Sequence, residues 1–260
     1  MDLQAQKTVK NEVLIPAIIS ILNEGKTVLF NATGKSMRPF IDDGEKVELE
    51  KCYTFATGNI VLAHLPRSSG SYVLHRIIEF QGDSVLLMGD GNLMNDGFCH
   101  KDSLKAVCRA KYDSLDKRID LDSDIQKARA NLWKSNLIHR EHLLFIFLPN
   151  NEKPFWEELF QEHLISEKRD LCLNKKYETR KMGEEFILYS SETTYVDFSS
   201  MTTLNETAAF IFTSIKGRIF NLNDCVDILL KEYEVDRETA TRDCIRTLTD
   251  WFSIGLIDVQ

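Results

Sequence analysis

Gly34-Lys35-Ser36-Met37-Arg38-Pro39 is the stretch on which the reading of this chain turns. A strand-like run at 27–31 precedes it and the turn signal Asp42-Asp43-Gly44 follows it, so it reads as a loop between strands. Gly34 lets backbone approach closely there, and Pro39 fixes the exit of the loop, so that Ser36 is held in place. A serine hydroxyl is a weak nucleophile at neutral pH. It needs a base within hydrogen-bond reach and backbone donors for the oxyanion that its attack creates.

Outward from this loop the surroundings read as β. Short apolar runs at 47–49, 60–65, 72–78 and 85–88 alternate with turns such as Arg67-Ser68-Ser69-Gly70. Five or more strands in about 110 residues is the density of a compact β-domain. In one of these runs, Tyr72-Val73-Leu74-His75-Arg76-Ile77-Ile78, a histidine sits among apolar neighbours. An ordinary imidazole is mostly neutral at cytosolic pH, so His75 can take the Ser36 proton without the desolvation a lysine would need. Further on come Gly89-Asp90-Gly91-Asn92 and Asn95-Asp96. Taken alone, the first reads as a tight turn. An aspartate from this region that accepts from the second imidazole nitrogen would select the working tautomer and stabilise the imidazolium.

In order and spacing these three boxes resemble type I signal peptidases, members of a serine peptidase superfamily that includes LexA-type proteins. Histidine in the base position gives the likeness to the sporulation, archaeal and endoplasmic-reticulum branch, where others carry lysine. The resemblance implies Ser36 as nucleophile, His75 as general base, and Asp90 or Asp96 as the supporting acid. It also implies Gly34 and Met37 as backbone support of the oxyanion site, and a small residue before the cleaved bond. Arg76 reads as structural. The sequence departs from that family in two ways. The apolar stretches 13–22 and 143–148 are far shorter than the roughly 20 residues of a membrane helix, so no anchor is expected. Gly34 brings no hydroxyl to the oxyanion site, which leaves that task to backbone amides.

Towards the C-terminus the periodicity becomes helical. Ala128, Leu132, Trp133 and Leu137 share a face, and 155–164 reads as a further helix, which together suggest a connecting segment over 113–167. Two strand-like runs, 185–189 and 195–198, then precede three helices. Their faces are Ala208, Ile211, Phe212 and Ile215; Val226, Leu229, Leu230 and Tyr233; and Ala240, Cys244, Leu248 and Phe252, with Asn205 and Asp236 as N-caps. Leu204-Asn205-Glu206-Thr207-Ala208-Ala209, Gly217 and Gly255-Leu256-Ile257 resemble the coenzyme PQQ synthesis protein D family over roughly 175–258. That likeness implies a winged-helix-like recognition element for the leader peptides of ribosomally made, modified peptides. An extended leader would add to a strand edge near Tyr195, Val196 and Phe198.

The expected fold is α+β in two domains: a mostly-β peptidase-like domain at 1–112, the connecting helices, and a peptide-binding domain of β-hairpin plus three helices at 168–260. With 260 residues and a net charge of −8, the chain has no general attraction for phosphate backbones, so nucleic acid is not an expected partner. The six cysteines show no C-x-x-C pair and no zinc spacing, and they read as reduced, mostly structural thiols in a cytoplasmic protein. No metal or cofactor is expected. The functional expectation is a soluble serine endopeptidase that removes a leader from a captured precursor peptide, with a modifying enzyme or exporter as further partners. The alternative is a non-catalytic peptide-binding chaperone that keeps a relict peptidase fold. A LexA-like self-cleaving repressor fits worst, because no Ala-Gly or Cys-Gly pair precedes Ser36 and the C-terminal unit carries more acids than bases.

Overall fold

The computed structural model describes residues 11–65, 71–146, 152–165, 170–182, 185–191 and 202–260. The chain opens with α1 (Asn11–Asn23), β1 (Val28–Asn31), β2 (Lys46–Glu50), β3 (Ile60–Leu65), β4 (Ser71–Gln81), β5 (Ser84–Met88), β6 (Gly97–His100), β7 (Leu104–Tyr112) and β8 (Arg118–Asp120). It continues with α2 (Asp124–Ser135), α3 (Arg140–Ile146), α4 (Glu152–Ile165), β9 (Leu171–Leu173), β10 (Tyr177–Met182) and β11 (Glu185–Ser190). The last elements are β12 (Thr202–Leu204), α5 (Glu206–Ile215), β13 (Ile219–Phe220), α6 (Leu222–Glu232), α7 (Arg237–Ser253) and β14 (Ile257–Val259). The fold is α+β, with a mostly-β N-terminal region and helices towards the C-terminus. No helix among the described residues is long and apolar enough to cross a membrane.

Two compact units emerge: Met1–Asp122 with Ile138–Pro149, and Ser123–Leu137 with Asn150–Gln260. In the first, one antiparallel sheet runs β1-β2-β7-β3-β4-β5-β6, with β8 pairing to β7. Strand β3 lies between β4 and β7, and its near-continuous apolar run is what a strand covered on both faces requires. Val61, Ala63, Leu65, Ile77, Val85, Leu87 and Leu104 form the core behind it.

In the second unit, β10, β11 and β12 make one small sheet and β13, β9 and β14 another. The three expected helices are α5, α6 and α7. Asn205 and Asp236 cap α5 and α7, accepting the amides of Ala208 and Thr239 at 2.8 Å. On α6 the buried face is Cys225, Val226 and Leu229, whereas Tyr233 is already the C-cap and is exposed. A capping box of Asn221 and Asp224 starts that helix. Burial pushes the thiols of Cys108 and Cys244 up to about 12, and raises that of Cys225 as well, as expected of thiols held in apolar cores.

The segment 113–167 does not stand apart as a connector. Helices α2 and α4 belong to the core of the second unit: Trp133 meets Phe155 and Trp156 with ring centroids 6.3 Å apart, and Phe160 stacks on Phe252 at 4.2 Å. The Asn131 side chain also donates to Asp258 of β14 at 2.8 Å. Leu137, expected on the same buried face, is exposed because α2 has already ended at Ser135.

Candidate active site

Ser36 lies in the loop from β1 to β2, which is closed at its base by two backbone hydrogen bonds, Ala32 N–H to Glu45 O and Gly44 N–H to Ala32 O, both 2.8 Å. The loop is held from inside by the buried side chains of Met37, Phe40 and Ile41. The amides of Phe40 and Ile41 both donate to Met37 O at 2.9 Å, and Asp43 Oδ1 accepts the Gly34 amide at 2.8 Å. Ser36 itself is half-buried, reachable from solvent at the tip of a fixed turn. Among the described residues no acceptor takes the amide hydrogens of Ser36 or Met37.

On β4, alternation puts His75 on the same face as buried Ile77, and the imidazole is 5% exposed. Its Nε2 lies 3.0 Å from Ser36 Oγ, and its Nδ1 lies 2.6 Å from Asp96 Oδ2. A carboxylate only accepts, so Nδ1 carries the hydrogen and Nε2 is left as acceptor for the serine hydroxyl. Asp96 is itself set in register, because its amide donates to Leu87 O at 2.9 Å where β6 begins to pair with β5.

Of the two candidate acids, it is Asp96 that meets the ring. The carboxylate of Asp90 faces Arg76 instead: Nε donates to Oδ1 at 2.9 Å and Nη2 to Oδ2 at 2.7 Å. Arg76 also donates to Gly58 O at 2.8 Å and lies 4.6 Å from the Phe40 ring centroid. Asp90 thus belongs to a buried ion pair beside the site, not to the serine–histidine chain.

The Gly89-Asp90-Gly91-Asn92 turn does more than reverse the chain. Gly91 donates to Ser36 O at 2.8 Å, and a Cβ on Gly89 or Gly91 would fall 2.5 Å from Ser36 O or Lys35 O respectively. Only glycine permits this approach. Gly34, placed with the oxyanion support by sequence, contributes a φ of +96° that turns the chain into the Ser36 tip. Tyr195, Val196 and Phe198, expected to bind peptide, lie outside the described residues. Sequence reasoning missed the Asp43 brace and the approach of Gly89 and Gly91. The paired glycines were the available signal for the second, and nothing local marked the first.

The fold and site together define an α+β protein that carries a serine–histidine–aspartate chain in its β-rich unit. Residues 185–257, from β11 to the first residue of β14, match the family model described as Coenzyme PQQ synthesis protein D (PqqD). Among solved structures, "TbiB1 in Complex with the TbiA(beta) Leader Peptide" is similar at 21% identity and a TM-score of 0.27, covering 33% of this chain and 93% of that one. No curated protein matches the chain.

Proposed function

We propose that this protein captures a leader-bearing precursor peptide with its C-terminal unit and cuts it with Ser36. The observation that carries this reading is the chain Ser36 Oγ, His75 Nε2, His75 Nδ1, Asp96 Oδ2, with both gaps at hydrogen-bond length. In the reaction Ser36 Oγ attacks the scissile carbonyl carbon while its proton passes to His75 Nε2. The C–N bond then breaks as His75 returns that proton to the leaving amine, and water, deprotonated in turn by His75, releases the acyl group. The amides of Ser36 and Met37 are available to the oxyanion. The match of 185–257 to the PqqD family supports a peptide as the captured partner.

A second reading, a non-catalytic peptide carrier, is favoured by one specific fact: the matched family segment covers only the C-terminal part of the chain. Incubating wild type and Ser36→Ala with a precursor peptide encoded beside this gene separates the two. Cleavage by wild type, with binding but no cleavage by the variant, is the expected result. Binding by both without cleavage by either would leave the carrier.

A further inference from the structure

Arg140 opens α3 and is 4% exposed, a costly position for a guanidinium that does nothing. Its Nη1 donates to Asn92 O at 3.0 Å and lies 3.7 Å from Met88 Sδ. Met88 is the last residue of β5, and Asn92 follows Gly91. Arg140 therefore grips both ends of the 89–91 turn. Burial holds its pKa below the ordinary arginine value, and the Asp90 carboxylate partly offsets that cost. The gripped turn is the one whose Gly91 amide binds Ser36 O and whose glycines touch the backbone of Lys35 and Ser36. A further bond, Asn92 N–H to Gly89 O at 3.0 Å, closes the turn on itself. From the guanidinium to the nucleophile's own carbonyl the path is short: one side-chain hydrogen bond, one closed turn, one backbone hydrogen bond.

We infer that Arg140 is a positioning residue, which holds the Ser36 loop at its distance from His75 by anchoring the 89–92 turn. This rests on the proposed peptidase reading. It assigns to a helix outside the β-sheet a part in catalysis that neither serine, histidine nor aspartate supplies.

Two readouts on the full chain test it: amide hydrogen exchange at Gly91, and the rate at which a fluorophosphonate labels Ser36 between pH 6 and 9. In Arg140→Met, which keeps an apolar stem and deletes the donors, Gly91 exchange should rise about tenfold. Labelling should slow about ten- to a hundredfold across that range, because the Ser36 loop loses its support while the His75 and Asp96 side chains stay in place. Arg140→Lys can reach Asn92 O with one ammonium and should recover part of both losses. Should the Met variant fail to fold, the Lys variant carries the test through an intermediate loss in both readouts. Wild-type exchange and labelling in either folded variant would overturn the inference. Faster Gly91 exchange in a protein whose wild type takes no label would overturn Ser36 as nucleophile, and the positioning role with it, while leaving the anchor itself.

Discussion

At the scale of single residues, two aspartates of one loop carry different work, and mutation should separate them. Asp96→Asn would hold His75 in the wrong tautomer and slow fluorophosphonate labelling about 10³- to 10⁴-fold, with little change in thermal stability. Asp90→Asn removes one partner of an ion pair whose side chains are 5% and 12% exposed, so it should cost about 3–5 kcal/mol of stability. Labelling rates and thermal unfolding of the two variants, measured side by side, check this, and the reverse pattern would contradict the assignment. That Ser36 and His75 meet was legible in sequence, because a serine nucleophile of the kind proposed would need a base within hydrogen-bond reach. The choice between Asp90 and Asp96 was not. It is set by the β5–β6 register that places the Asp96 amide on Leu87 O, and such pairing is a long-range property that no local spacing reveals.

At the scale of elements, the turn at 89–92 is a spacer whose thickness is one glycine. In Gly91→Ala the new Cβ would meet Lys35 O at 2.5 Å, so the turn or the Ser36 loop must shift and the spacing between Ser36 and His75 with it. Labelling should fall about a hundredfold while the far-ultraviolet circular dichroism keeps its native shape, and an unimpaired rate would show that the turn does not set the site. A second element-scale prediction concerns acid. Glu48 of β2 accepts from Arg118 at 2.5 Å and from Tyr112 at 2.9 Å, and the Arg118 hydrogen bond holds its carboxyl below the ordinary 4.5. A lowered folded-state value gives stability that is fully present above pH 4.5 and lost as pH falls through the folded value. The unfolding midpoint of wild type should therefore drop below about pH 4.5, and Glu48→Gln should start lower at neutral pH and drop less. Strands β1 to β5 were legible from their apolar runs. Strand β7, which lies between β2 and β3 in the sheet, was not, because Ala106, Cys108 and Ala110 are small and the charges of Lys105, Arg109 and the buried Lys111 interrupt its apolar run. Strand β10 was missed for a related reason: at an edge of its sheet it exposes Arg180, Lys181 and Met182 and carries no apolar run.

At the scale of the whole molecule, the sequence separated a β-rich half from a helical one but misplaced the seam. Aromatic packing among Trp133, Phe155 and Trp156 draws α2 and α4 into the second unit, and the contact of Arg140 with the 89–92 turn keeps α3 in the first. Contacts of this kind pair residues far apart in the chain, which periodicity within a window cannot register. If capture and cleavage belong to different units of one chain, tethering raises the local concentration of the scissile bond. A full-length precursor should then show a KM about a hundredfold below that of a short peptide spanning the same bond. Equal values would separate the C-terminal unit from the reaction. The most direct measurement is mass spectrometry of the intact chain after fluorophosphonate treatment. A single adduct on Ser36, absent from His75→Ala, is the predicted result; an unmodified Ser36 in folded wild-type protein would contradict the peptidase account.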